Sequence, residues 1–108
     1  MSHKRYILTL GLLAAFTIAA HAAASVTVAQ KGRLFSVEEV TVKKGDAVLF
    51  NNDDTVPHNV VSKTKGNEFD LGYQPPGAST PVTFDALGDV NVICTIHPRM
   101  KMTVHVTD

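Results

Sequence analysis

Cys94, His97 and Met100 fall within the short run Cys94-Thr95-Ile96-His97-Pro98-Arg99-Met100, and a further histidine, His58, stands far upstream in Val56-Pro57-His58-Asn59-Val60. A thiolate, two imidazoles and a thioether make a soft-to-borderline donor set. It matches a trigonal Cys-His-His plane with a weak axial methionine, the set that a type-1 copper site uses for one-electron chemistry. A loop joining two adjacent strands can converge three such side chains on one point at the end of a sandwich, and a neighbouring loop can bring the fourth. Taken singly, each residue has a plainer reading. A lone buried cysteine is usually a small apolar filler, and a lone strand histidine is more often structural or exposed than metal-bound. The combination carries the metal reading.

Elements able to position these donors follow from the rest of the pattern. Short β-rich runs broken by turn residues replace any helix-period stripe, so the class is all-β. Candidate strands are Ser25 to Ala29, Val37 to Val42, Asp46 to Asn51, His58 to Ser62, Thr80 to Asp85, Asp89 to Cys94 and Met102 to Val106. Val40-Thr41-Val42 and Val104-His105-Val106 alternate, which predicts one buried and one wet face and puts His105 toward solvent. Lys44-Gly45-Asp46 and Leu87-Gly88-Asp89 read as turns. Asn51 to Asp54 reads as a polar loop, with Asp53 and Asp54 as a solvated turn rather than a hard-cation site. Gly66 to Ser79, with Pro75-Pro76-Gly77, reads as largely irregular. Seven short strands point to a small Greek-key β-sandwich or barrel whose core takes Phe35, Phe50 and Phe84.

With 108 residues, 44% of them hydrophobic, the chain has room for one compact domain. Lys4 and Arg5 precede an apolar run from Tyr6 to Ala20 and then small residues, the pattern of a secretory signal peptide. The run is shorter than the roughly 20 residues of a membrane span. Cleavage is expected after Ala22 or, preferably, Ala24. That divides the chain into a signal peptide, 1–24, and a domain, 25–108, and predicts a periplasmic protein with no stable membrane insertion. Of ten basic and ten acidic residues, discounting Lys4 and Arg5 leaves eight basic ones. There is no basic run or aromatic ladder for nucleic acid. Cys94 has no internal disulfide partner in a chain bound for an oxidising compartment. No Ser-His-Asp pattern, second metal set or phosphate-binding glycine loop supports independent catalysis, so an enzyme is not expected.

Both donor motifs, in this order, together with Val40-Thr41-Val42-Lys43-Lys44-Gly45-Asp46 followed by Val48-Leu49-Phe50, resemble the plastocyanin/amicyanin branch of the cupredoxins. The C-x2-H-x2-M loop is most similar to the amicyanin type. The resemblance spans the chain after the signal segment. It implies one copper ion, with His58, Cys94 and His97 as equatorial ligands and Met100 as the axial one. Met102 stands where a longer plastocyanin-type loop would put its ligand. Met100 is preferred because in the family the axial methionine comes just before the last strand, a relation Met100 keeps to Val104 and Val106, which leaves Met102 as a core residue. The resemblance further implies that Asn59 ties the His58 segment to the Cys94 loop and helps orient the sulfur. It also implies that His97 exposes a ring edge to redox proteins, a c-type cytochrome or a dehydrogenase among them, and that the protein acts as a monomer. Two other readings use the same residues: a periplasmic copper-delivery protein, and a structural zinc site that leaves the methionine without a purpose.

Overall fold

The computed structural model describes residues 26–108, so the expected signal peptide and its cleavage lie outside the described residues. Nine strands and no helix form here: β1 (Val26–Lys31), β2 (Leu34–Phe35), β3 (Glu39–Lys43), β4 (Ala47–Asn52), β5 (Val60–Ser62), β6 (Phe69–Asp70), β7 (Ser79–Thr83), β8 (Gly88–Cys94) and β9 (Lys101–Thr107). They build two mixed sheets, ordered β2-β1-β4-β7 and β3-β9-β8-β5-β6. β1 runs parallel to β4 and β3 parallel to β9, while the other pairings are antiparallel. Among the described residues no helix is long and apolar enough to cross a membrane.

Alternation decides which face each strand buries. Val28 of β1, Val48 and Phe50 of β4, Val42 of β3, Val90 and Val92 of β8, and Val104 and Val106 of β9 all point inward. The β-branched residues suit the pleat, and the aromatic rings fill the space between sheets. Phe50 meets Phe35 edge-on at 6.3 Å and lies tilted against Phe69 at 6.1 Å, and Phe69 meets Phe84 edge-on at 5.9 Å. The three predicted core phenylalanines are buried as expected. Gly45, at a φ of 91°, turns β3 into β4. The Asp46 carboxylate accepts from the Lys43 amide and locks that turn.

All seven expected strands are present, with shifted ends. The two extra strands, β2 and β6, are two residues each, too short to show a period. β6 and the pairing of Gln74 with His58 interrupt the segment 66–79 that reads as irregular. His105 lies on the outer face of β9 as predicted, yet it is not simply solvated. Its Nδ1 meets Asp89 of β8 at 2.6 Å and its Nε2 meets Glu39 of β3 at 3.2 Å, so it bridges three neighbouring strands. For the site, the consequential feature is that the β4–β5 connection and the β8–β9 loop open at the same end of the sandwich. This follows because β5 pairs with β8 so that Val60 lies opposite Cys94.

Candidate metal centre

Cys94 is the last residue of β8, and its side chain points inward with only 2% exposure. The chain then turns through residues 95–100 and re-enters the sheet as β9. Two backbone hydrogen bonds close this loop: the Met100 amide donates to the His97 carbonyl at 2.9 Å, and the Cys94 amide to the Met100 carbonyl at 3.0 Å. A loop so short, anchored at both ends by an antiparallel pair, has little freedom left. His97 is therefore held near Cys94 before any ion binds.

His58 arrives from the other direction. Its backbone exchanges both hydrogen bonds with Gln74, at 3.1 and 2.9 Å, and its side chain is fully buried. Beneath it runs a buried polar network. The Gln74 side chain donates to the Phe50 carbonyl at 2.9 Å and accepts from Gln30 at 2.7 Å, and Asn52 donates to the carbonyls of Val56 and Gln74. These residues explain how a histidine on a connection, rather than within a strand, keeps one position. Burying amides requires partners, and the network supplies most of them. Sequence reasoning missed Gln30, Asn52 and Gln74. Polar residues spread over three separate segments carry no local signal of convergence.

The expectation that Asp54 belongs to a solvated turn is overturned. Its side chain is 10% exposed, and Oδ2 accepts from His58 Nε2 at 2.9 Å and from the Arg33 amide at 2.8 Å, while Oδ1 accepts from the Thr55 amide. The Arg33 amide foremost, then the His58 ring, hold this carboxyl at a pKa of about 2 against an ordinary 3.8. Asp53 is exposed, as expected of a turn. The physical reason for the difference is non-local: the β1–β2 turn supplies the Arg33 amide and the β5 approach supplies the His58 ring that Asp54 accepts from. With Nε2 donating to Asp54, Nδ1 is the His58 nitrogen turned toward Cys94 and His97.

Three donor atoms now face one another. His58 Nδ1 and His97 Nδ1 are 3.1 Å apart, and Cys94 Sγ is 3.8 Å from each. They form the one group of three or more His, Cys, Asp or Glu residues, among those described, that could hold a metal ion. These separations are short enough for all three atoms to hold one ion. A thiolate with two imidazoles is a donor set that would suit copper and its one-electron chemistry. The Asn59 amide points at Sγ from 3.5 Å, so the link between the His58 segment and the cysteine is made by backbone. The Asn59 side chain instead donates to Asp70 at 3.3 Å, and its Oδ1 is buried without a partner among the described residues. Met100 is fully buried beside this loop. Met102 is also buried but is paired with Val92 within the sheet.

Residues 22–107 match the family model described as copper binding proteins, plastocyanin/azurin family. The chain belongs to this family of copper-binding proteins. Its expected resemblance and its one metal centre are thereby established, with His58, Cys94 and His97 positioned for the ion. Among curated proteins it is 37% identical over 71 residues to Amicyanin-alpha of Methylorubrum extorquens, an alignment covering 62% of this chain and 59% of that protein. Among solved structures, the amicyanin of Paracoccus versutus superposes with a TM-score of 0.67 at 30% identity, covering 82% of this chain and 86% of that one. A copper-containing nitrite reductase of Thermus scotoductus reaches a TM-score of 0.71 at 27% identity, but over 22% of the reductase chain. The same cupredoxin fold therefore occurs both as a small protein and as part of an enzyme.

Proposed function

We propose that this protein is an exported one-electron carrier in which His58, Cys94 and His97 hold copper in a plane and Met100 is the axial ligand. The single observation that carries the reading is the donor triangle, already assembled at copper-compatible separations by backbone hydrogen bonds and a buried amide network. Copper at such a site supplies reversible Cu(II)/Cu(I) exchange, with little rearrangement where the ligands are fixed in advance. The protein's part is to keep them fixed. Asp54 holds the His58 tautomer, the Asn59 amide lies against the sulfur, and the closed loop holds His97.

The choice of Met100 over Met102 rests on placement. The Met100 backbone lies against Cys94, whereas Met102 packs opposite Val92. Work as a carrier needs a route to the surface, and His97 offers one because it is half-buried between exposed Ile96 and exposed Pro98. The relatives named as amicyanins and the basic-then-apolar segment from Lys4 to Ala20 support export to the periplasm and service to a redox protein such as a c-type cytochrome or a dehydrogenase. An optical and electron paramagnetic resonance spectrum of the Cu(II)-loaded domain tests this. An intense band at about 600 nm with narrow hyperfine splitting and reversible one-electron cycling is expected. A colourless or ordinary tetragonal centre would refute it.

A further inference from the structure

Beside half-buried His97 lies a notch of about 520 Å³ lined by Gly32, Arg33, Leu34, His97, Pro98 and Arg99. We propose that this notch receives a carboxylate-bearing, acidic face of the redox partner, with Arg33 and Arg99 as the recognition residues and Leu34 and Pro98 as the apolar floor. The inference rests on the carrier reading above and names the kind of partner that reading requires.

Charge is the first support. Both charged side chains lining the notch are guanidinium groups, and no carboxylate lines it. The nearest acidic group in the turn region, Asp54, is already engaged by three donors. The chain from residue 26 onward carries more acidic than basic residues, so a pair of arginines at the electron-exchange edge is a local reversal of the general sign. Guanidinium forks bind carboxylates in two-point fashion, and charges at the rim of a contact raise association rates.

Backbone conformation is the second, independent support. The β1–β2 hairpin turns through Gly32 and Arg33, at φ of 61° and 58°. Such two-residue turns favour glycine or asparagine at both central positions, and a long side chain in the left-handed region is unfavourable. Arg33 occupies that position here, pinned by its amide to Asp54, the same carboxylate that meets His58. The turn thus presents the exposed Arg33 side chain at the notch that half-buried His97 also lines, from a backbone conformation that a long side chain disfavours. Leu34, 55% exposed next to it, supplies the apolar surface a transient contact needs.

Stopped-flow oxidation and reduction of the copper-loaded protein by one acidic and one basic c-type cytochrome, over a range of ionic strength, tests the proposal. The acidic cytochrome should react faster at low salt and slow as salt rises. Arg33→Gly keeps the amide that Asp54 accepts from and removes the unfavourable conformation, so it should fold at least as well as the parent. It and Arg99→Gln should each slow the acidic cytochrome about three-fold at low salt, and the double variant about ten-fold, with a flatter salt dependence. The basic cytochrome should not slow. A double variant within two-fold of the parent, or a parent that prefers the basic cytochrome, would overturn the proposal. Amide chemical shifts recorded while the acidic cytochrome is titrated into the copper-free protein separate docking from electron transfer. Perturbation at residues 32–34, 97 and 99 supports the proposal even if copper gives no blue couple and the carrier reading fails. Perturbation elsewhere, or none, refutes it.

Discussion

Replacing Gln74 by leucine should cost the copper-free protein about 3 kcal/mol of stability, because it removes one amide that satisfies two others. In the parent, Gln74 Nε2 donates to the Phe50 carbonyl at 2.9 Å and its Oε1 accepts from Gln30 Nε2 at 2.7 Å, with Gln74 only 2% exposed. Leucine has nearly the same volume, so the cavity contribution is small and the loss is polar. Two buried groups are left without this partner, each at about 1–3 kcal/mol. For a domain of this size that corresponds to a fall in melting temperature of about 15 °C. Gln30→Leu alone deprives one acceptor and should cost less. In the double variant the Gln30 amide and the Gln74 acceptor disappear together, leaving the Phe50 carbonyl and, more weakly, the part-buried Thr80 hydroxyl deprived. The double should therefore be more stable than the sum of the singles by about 1–2 kcal/mol. Denaturant unfolding of the copper-free forms measures this without the stabilisation that a bound ion adds by mass action. A Gln74→Leu cost below about 1 kcal/mol, or strict additivity in the cycle, would show that the network does not brace the His58 connection.

Met100→Leu should leave copper bound through the three strong ligands and shift its potential upward, while Met102→Leu should leave the potential nearly unchanged; the reverse pattern in voltammetry would move the axial role to Met102. Cys94→Ser should abolish the absorption at about 600 nm that thiolate-to-copper charge transfer produces, and a persistent blue band would disprove the central ligand. His105 gives a pH prediction with a definite sign. Asp89 foremost, then Glu39, raise its pKa above the ordinary 6.5. The stabilisation is fully present below pH 6.5 and is lost as pH rises through the folded-state value, so copper-free stability should decline above 6.5. His105→Gln should flatten that decline in denaturant titrations; an unchanged slope would assign it to other groups.

The parts of this fold legible in the sequence are those encoded within a few residues of one another. Val40-Thr41-Val42 and Val104-His105-Val106 announce strands with one wet face because the period of two is complete within each run. Cys94, His97 and Met100 announce a site because one short loop carries all three, and His58 joins them through a motif met in the same family. β2 and β6 escape notice because two residues show no period and owe their pairing wholly to neighbours. Asp54 is misread for the same reason in reverse. Its neighbours Asn52, Asp53 and Thr55 are polar and signal a wet turn, while the Arg33 amide that engages it lies 21 residues away.

This division has a physical consequence for how the site works. The atoms that would touch copper come from local motifs, but what fixes those atoms is non-local: Asp54 on His58 Nε2, Gln74 on the His58 backbone, and Gln30 on Gln74. Rigidity of the donor triangle is therefore a property of the folded sandwich and not of the loop sequence. It follows that the loop from Cys94 to Met100, excised as a peptide, should bind copper without the intense blue band. The folded domain carrying Gln74→Leu, in which the backbone pairing of residue 74 with His58 survives, should keep the band while unfolding more readily. If instead Gln74→Leu bleached the colour with the fold intact, the amide side chain itself, and not the backbone pairing, would be what holds His58 against the metal.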